Sequence, residues 1–301
     1  MNLRLGTRKS LMATTQSQQV ADRLTELTGR GVDLVGITTF GDVTKAQLSQ
    51  LGGTGVFVSE LRESLARDEI DFAVHSLKDL PTYPDSRLTL AAIPRRDDPR
   101  DALVGPLKLA DLSRGARVGT GSPRRIAQLR QLRPDLEYVP IRGNADTRIG
   151  KVTSGQLDGV VLAAAGLVRL RRDDEIANFF DTDEMLPAPG QGALAVECRA
   201  DRPDLIELLS TLDDVRTRDA VTAERAVLAA LEAGCSAPVG AYAVDDGHVL
   251  TLTATVVSID GTSAVRKSTT GPRSAAMELG RELATTMIAE GAGQLMGEQA
   301  H

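Results

Sequence analysis

Short apolar stretches alternate with helical ones through the first two thirds of this 301-residue chain, and that alternation restricts its fold more than any other feature. Strands are expected at Leu3–Gly6, Asp33–Thr38, Asp71–His75, Leu88–Ile93, Arg117–Gly119, Glu137–Ile141 and Gly159–Ala163. Helices are expected at Leu11–Leu27, Phe57–Arg67, Pro123–Leu132, Ala145–Ser154 and Pro203–Leu212. A βαβα order of this kind predicts α/β domains with mostly parallel sheets. Two polar or kinked connectors, Pro94–Asp101 and Pro187–Gly192, interrupt it. The apolar strand after the second, Ala193–Glu197, is expected back in the first sheet, so that the chain crosses twice between two α/β lobes with a ligand cleft between them. The last ninety or so residues change pattern. A long helix, Arg216–Glu232, precedes strands near Val239–Val244, Val249–Ser258 and Thr262–Thr269 and a helix from Ser274 to about Glu290. Helices covering a small antiparallel sheet predict a C-terminal α+β domain. The expected domains are residues 1–94 with 193–212, residues 101–186, and residues 213–301. No internal repeat is evident in the sequence.

Composition removes several function classes. A net charge of −6 argues against a general nucleic-acid binder, and an aromatic content of 3% with no tryptophan leaves little to stack on bases. No apolar run approaches the ~18 residues of a membrane span. Met1–Gly6 alternates like a strand and shows no apolar leader core. Two cysteines, Cys198 and Cys235, are too few and too far apart for a disulfide framework or a zinc knuckle, which suits a reducing cytoplasm.

Three segments carry candidate chemistry. The strand Asp71–His75 runs into Ser76-Leu-Lys-Asp-Leu-Pro81, which places Lys78 and Asp79 at the carboxyl end of a strand, where open α/β sheets bind ligands. A plain surface turn is the other reading of this stretch. Arg114–Lys151 holds nine Lys or Arg against three Asp or Glu, an unusual density in an acidic chain. Within it, Ser122 with Pro123 and Asn144 after Gly143 each look like a helix start. These starts aim backbone N–H groups and the forks of Arg124, Arg125, Arg142 and Arg148 at anions, unless the arginines are simply solvated or paired. Arg169 follows a further strand. The third segment is Gly234-Cys235, with Gly234 as the expected cap of the long helix; a thiol at that end of a helix dipole is not acidified. Cys235 is either functional or a small buried hydrophobe, the fate assigned to Cys198.

Taken together, these segments resemble the porphobilinogen deaminase family. The matching stretches, in order, are Leu3–Ser10, Gly52–Phe57, Ala73–Asp79, Asp98–Asp101, Pro123–Arg125, Arg142–Asn144, Pro189–Gly192 and Gly234–Cys235. The resemblance implies two lobes like those of periplasmic binding proteins plus the α+β domain, in a monomer. It implies a dipyrromethane cofactor joined to Cys235 by a thioether. Four porphobilinogen molecules then condense onto it with loss of ammonia, and water releases the linear tetrapyrrole. By residue-wise match Asp79 is the catalytic carboxylate, with Arg8 and Lys78 acting nearby. The cofactor falls to Ser10, Ser76, Lys78, Asp79, Thr120, Ser122, Arg124, Arg125, Arg142 and Gly143, and the substrate to Arg8, Ser10, Arg142, Arg148, Arg169 and Gln191. No metal is implied.

The chain departs from the family at Gln50 and Thr54, where many members carry lysine; Lys45 lies upstream and Phe57 behind. Residues 43–54 are therefore expected to serve as a lid rather than a cationic clamp. Pro123 stands where leucine is frequent and suits a first helical turn. Two rival readings use the same residues: a dicarboxylate-binding protein, which leaves Asp79 and Cys235 unexplained, and a thiol-dependent acyl transferase, for which His75 or His248 would have to serve as the base.

Overall fold

The computed structural model describes residues 2–38, 58–234 and 237–296. Cys235, Phe57 and the 43–54 segment with Lys45, Gln50 and Thr54 lie outside them.

The first sheet contains β1 (Leu3–Arg8), β2 (Val32–Ile37), β3 (Phe72–Ser76), β4 (Leu88–Ala92) and β10 (Leu194–Arg199), in the order β2-β1-β3-β10-β4. β1 is parallel to β2 and β3, whereas β10 is antiparallel to both β3 and β4. The strand after the second connector thus returns to the first sheet as expected. Phe72 and Val74 point into a core with Val20 and Leu24 of α1 (Leu11–Thr28) and Leu205 and Leu209 of α6 (Pro203–Ser210). Ala73, on the opposite face of β3, packs with Leu61 and Leu65 of α2 (Ser59–Ala66). Helices therefore cover both faces, which is why Phe72, Ala73 and Val74 can follow one another in β3.

The second sheet repeats this plan with β5 (Asp101–Val104), β6 (Arg117–Gly119), β7 (Glu137–Val139), β8 (Gly159–Ala163) and β9 (Ile176–Phe180), in the order β7-β6-β8-β5-β9. Three parallel strands are again followed by one strand, β5, that is antiparallel to both neighbours. Both sheets are mixed, not mostly parallel. The difference arises because each connector delivers a strand in reverse: β10 arrives last in the first sheet, and β5 arrives first in the second. β5 and β9 are elements that the sequence reading lacks. Asp101-Ala-Leu-Val104 is short and opens on a charge within what reads as the first connector. Ile176-Ala-Asn-Phe-Phe180 follows three acidic residues. α3 (Pro123–Leu132) covers the face bearing Leu103 and Val161, and α4 (Ala145–Thr153) and α5 (Ala164–Arg169) cover the face bearing Ala102 and Val160.

The long helix α7 (Val215–Ala230) leads to an antiparallel meander of β11 (Val239–Asp245), β12 (Leu250–Val257) and β13 (Ala264–Gly271). Val227 of α7 and Leu283 and Met287 of α8 (Ala276–Ala289) pack on its inner face with α9 (Ala292–Leu295) beside them. By contact density the chain forms two compact units, Met1–Asp97 with Ala193–Arg218, and Asp98–Gly192 with Asp219–His301. The second unit holds two sheets, joined for example by Ala241 N–H donating to Pro187 O at 3.0 Å and Arg266 Nη1 donating to Asp183 O at 2.7 Å.

The end of α7 differs from expectation. Its left-handed cap is Glu232, at φ 51°, not Gly234. Glu232 N–H donates to Ala229 O and Ala233 N–H to Leu228 O, the paired bonds of a Schellman close. α2 and α5 end in the same way at Asp68 and Arg171, both also at positive φ. A search for glycine therefore misplaces the cap, because the hydrogen bonds tolerate a side chain at some cost in strain.

Candidate active site

In the first unit β3 delivers the sequence Ser76-Leu-Lys-Asp79 to the carboxyl end of the sheet. Leu77 N–H donates to Ala193 O beside β10, and a single 3-10 turn over Leu77–Asp79 closes when Leu80 N–H reaches Leu77 O. Leu77 and Leu80 are buried and act as pins, which leaves Lys78 half-buried and Asp79 exposed between them. The Asp79 carboxylate makes no hydrogen bond or ion pair with another described residue. Arg8 ends the parallel neighbour β1, so it stands at the same end of the sheet. Ser10 follows as the N-cap of α1, accepting from Ala13 N–H. The Ser76 hydroxyl donates to Gln16 Oε1 of α1 at 3.3 Å. Arg8, Ser10, Ser76, Lys78 and Asp79 are thus brought to one end of one sheet, the end at which Lys78 and Asp79 were expected.

A buried group beneath them was not foreseen. On the α2 face of the sheet, Glu197 of β10 accepts from Arg62 Nε on Oε2 at 3.1 Å and from Nη2 on Oε1 at 2.8 Å, and His75 Nε2 lies 3.3 Å from Oε2 without hydrogen-bond alignment. Burial pushes the Glu197 pKa up, but His75 and Arg62 outweigh it and hold it below the ordinary value. The alternation of β10 offered a signal, since a charged residue between Val196 and Cys198 in a strand buried on both faces needs a partner. Cys198 itself is buried and free, and burial pushes its thiol up to about 11.

The second unit gathers the basic residues. Ser122 and Asn144 cap α3 and α4 by accepting from Arg125 and Thr147 N–H, as expected, and Pro123 occupies the first turn. Thr120 is buried, its hydroxyl accepting from Ser122 N–H at 3.3 Å. Arg124 and Arg125 then point inward, not to solvent. Arg125 Nε and Nη2 reach Asp101 Oδ1 at 2.9 and 2.7 Å, and Nη1 donates to Val161 O at 2.9 Å. Arg124 Nη1 lies 2.7 Å from Asp101 Oδ2 and donates to Leu186 O at 2.7 Å. Gln191 Nε2 completes the group, donating to Asp101 Oδ1 at 2.9 Å and Pro99 O at 2.8 Å. Asp101 is wholly buried; that burial opposes its charge, yet the two arginines hold its pKa far below the usual carboxylate range. Burial pulls Arg124 below the ordinary arginine value, Asp101 opposing and Arg125 adding to the shift.

Arg148 is placed differently. Its Nε donates to Gly143 O at 2.8 Å, a contact shaped by the positive φ of 108° at Gly143, where a Cβ would sit 2.7 Å from Thr147 Cγ2. Burial lowers its pKa first, and the nearby charges that lower it further are Arg125 and Arg142. No described carboxylate pairs with it. Three guanidinium groups thus share one neighbourhood, and one of them is half-buried with no acidic partner among the described residues. Arg142 is exposed and lines a cavity of about 630 Å³ together with Arg117, Thr147 and Lys151. Arg169 is buried and donates from Nη2 to Gly192 O at 2.7 Å.

Such a site suits a ligand bearing several carboxylates. Residues 3–207 match the family model described as the dipyrromethane cofactor binding domain of porphobilinogen deaminase, and residues 219–289 match that enzyme's C-terminal domain. Porphobilinogen deaminase 1 of Streptomyces coelicolor is 59% identical, covering 99% of this chain and 98% of its own length. Porphobilinogen deaminase of Thermobifida fusca is also 59% identical, over 99% of this chain and 96% of its own. Among solved structures, a periplasmic substrate-binding protein from Coxiella burnetii aligns with 70% of this chain and 91% of its own at 14% identity and a TM-score of 0.44. Matched over nearly its whole length, the chain belongs to the porphobilinogen deaminase family of transferases, with that family's dipyrromethane cofactor binding domain.

Proposed function

We propose that Asp79 and the arginine cluster divide the porphobilinogen deaminase reaction between them, Asp79 serving the chemistry and the arginines the carboxylates. The single observation that carries this reading is the contrast in surroundings: an exposed Asp79 on a pinned turn with no partner among the described residues, against a half-buried Arg148 amid like charges. Porphobilinogen carries acetate and propionate groups, so each unit brought to the site adds two carboxylates for guanidinium forks to bind. As porphobilinogen loses ammonia, its ring becomes cationic. A carboxylate held in place before charge develops stabilises that cation, and Asp79 has no partner among the described residues to give up first. The same oxygen atoms can protonate the departing amine and then take the proton that the new bond displaces. Arg8, on the neighbouring strand end, and Lys78 bind the acidic side chains nearest the reacting carbon.

The residues fit the cofactor that the family model implies. Cys235 would hold it as a thioether, with Ser10, Ser76, Thr120, Ser122, Arg124, Arg125, Arg142 and Gly143 around its polar groups, and Arg148, Arg169 and Gln191 toward the added units. When bound, it supplies the nucleophilic pyrrole carbon onto which the first unit is joined. We further propose three domains, 1–94 with 193–212, 101–186 and 213–301, in a cytoplasmic monomer; a free Cys198 thiol suits a reducing compartment. Among the described residues no helix is long and apolar enough to cross a membrane. Intact-protein mass spectrometry before and after adding porphobilinogen tests the reading. The purified chain should carry a dipyrrole and gain whole porphobilinogen units less ammonia. A bare mass unchanged by substrate would contradict it.

A further inference from the structure

The carboxylate of Asp101 belongs to no step proposed above, yet it is wholly buried and meets two arginines and a glutamine. It opens β5 on the face that α3 covers, and it receives groups from two distant stretches of sequence: Arg124 and Arg125 at the start of α3, and Gln191 from the second connector. The connector is itself fastened. Gly190, at φ 76°, donates its N–H to the buried Glu224 Oε2 at 2.7 Å, and Glu224 Oε1 accepts from Ala243 N–H at 2.9 Å. Two residues on, Gly192 O accepts from Arg169. The turn 190–192 therefore touches the groups that hold three arginines.

We propose that Asp101 is a positioning residue for the arginine cluster: without meeting the ligand, its carboxylate fixes the forks of Arg124 and Arg125 and, through Gln191, ties them to the turn that holds Arg169. The charge balance supports this. Two guanidinium groups share one carboxylate in a buried site, so the array keeps a net charge of about +1 with Arg148 close by. A buried charge with too few partners is costly, and a ligand carboxylate lowers that cost. A second acidic residue would have neutralised the array and removed its attraction for anions. With no acidic residue, the two forks would repel and turn away. One carboxylate holds them in place and leaves the excess positive charge available.

This inference rests on the deaminase reading, and the test separates the two. The parent chain, Asp101→Asn, Arg125→Gln and the pair Asp101→Asn/Arg125→Gln are purified as full chains. Each is read for dipyrrole mass, unfolding midpoint, and kcat and KM for porphobilinogen. A bare, inactive parent sinks the deaminase reading. With a loaded parent, Asp101→Asn should retain less dipyrrole, with kcat/KM lowered by about a hundredfold, the scale of a roughly 1 Å misplacement, and most of the loss in KM. A purely structural role would lower its midpoint and leave KM at the parent value, which would overturn the proposal. If Asp101→Asn does not fold, the pair decides, because it restores the parent's net charge in the array. With Arg125 gone, Asp101 still places Arg124 and Gln191 but has lost one of its two forks, so the pair should fall below Arg125→Gln by about tenfold at most in kcat/KM, well short of the hundredfold expected of Asp101→Asn alone. A pair about a hundredfold or more below Arg125→Gln overturns the proposal, because Asp101 would then act independently of that arginine.

Discussion

Asp79 and Asp101 stand at the ends of strands in two sheets of the same strand order, and the fold treats them in opposite ways. Asp79 is exposed on a turn pinned by two buried leucines, with no described partner. Asp101 is wholly buried between two arginines and a glutamine. The residue type is the same, and the surroundings decide its use. A carboxylate held by its backbone alone can respond to a substrate, whereas one held by its oxygen atoms can only hold other groups in place. The cysteines repeat the lesson, since Cys198 is sealed in the core of the first sheet and its raised pKa makes it a poor nucleophile.

The largest effect expected is all-or-none. Cys235→Ser should carry no dipyrrole, whereas Cys198→Ser should carry it as the parent does; an adduct on the first or a bare mass on the second would reverse the assignment of the two thiols. Next comes stability. Removing one partner of a buried ion pair costs about 3–5 kcal/mol, so Asp101→Asn should lower the unfolding midpoint strongly, and Asp79→Asn should leave it in place. Denaturant titration of both variants breaks the comparison if the two move together.

The pH dependence of stability sharpens the comparison. The pKa values of Asp101 and Glu197 are depressed in the folded chain, so both contribute stability above the unfolded carboxylate value of about 4 and lose it as pH falls from there toward their folded values. The midpoint of Asp101→Asn should therefore fall less steeply with acidification than the parent's. Parallel curves would mean that Asp101 is not ionised through its arginines.

How much of this was legible in the sequence follows from the range of the interactions. The caps Ser122 and Asn144 are local, each reaching an N–H group three residues on, and spacing revealed them. The turn bearing Asp79 was legible because an apolar strand delivers it. The array at Asp101 was not, because its partners lie 24 and 90 residues away and no periodicity links them. Misreading β5 as connector hid the carboxylate that Arg124 and Arg125 answer. The repeated sheet plan was hidden likewise, because the matching strands β10 and β5 come at opposite ends of the chain order.

The smallest effect expected concerns the end of α7. A non-glycine residue in the left-handed region costs roughly 1–2 kcal/mol, and glycine gives back about half of that through its freer unfolded chain. Glu232→Gly should thus raise stability by about 0.5–1 kcal/mol, and a loss would mean that the Glu232 side chain contributes more than its backbone strain costs.

The most direct test of the division between the Asp79 carboxylate and the arginines is a single quench experiment. Asp79→Asn, Arg148→Gln and the parent receive limiting porphobilinogen, and intact mass counts the units on each chain. Asp79→Asn should keep its dipyrrole and add units about a hundredfold or more slowly, remaining at zero additions while the parent cycles. Arg148→Gln should accept early units and stall at later ones, because an added carboxylate then lacks its fork in a half-buried site. If both variants instead pass through the parent's distribution of one to four units, merely more slowly, the two regions act as one electrostatic field and the division proposed for them is wrong.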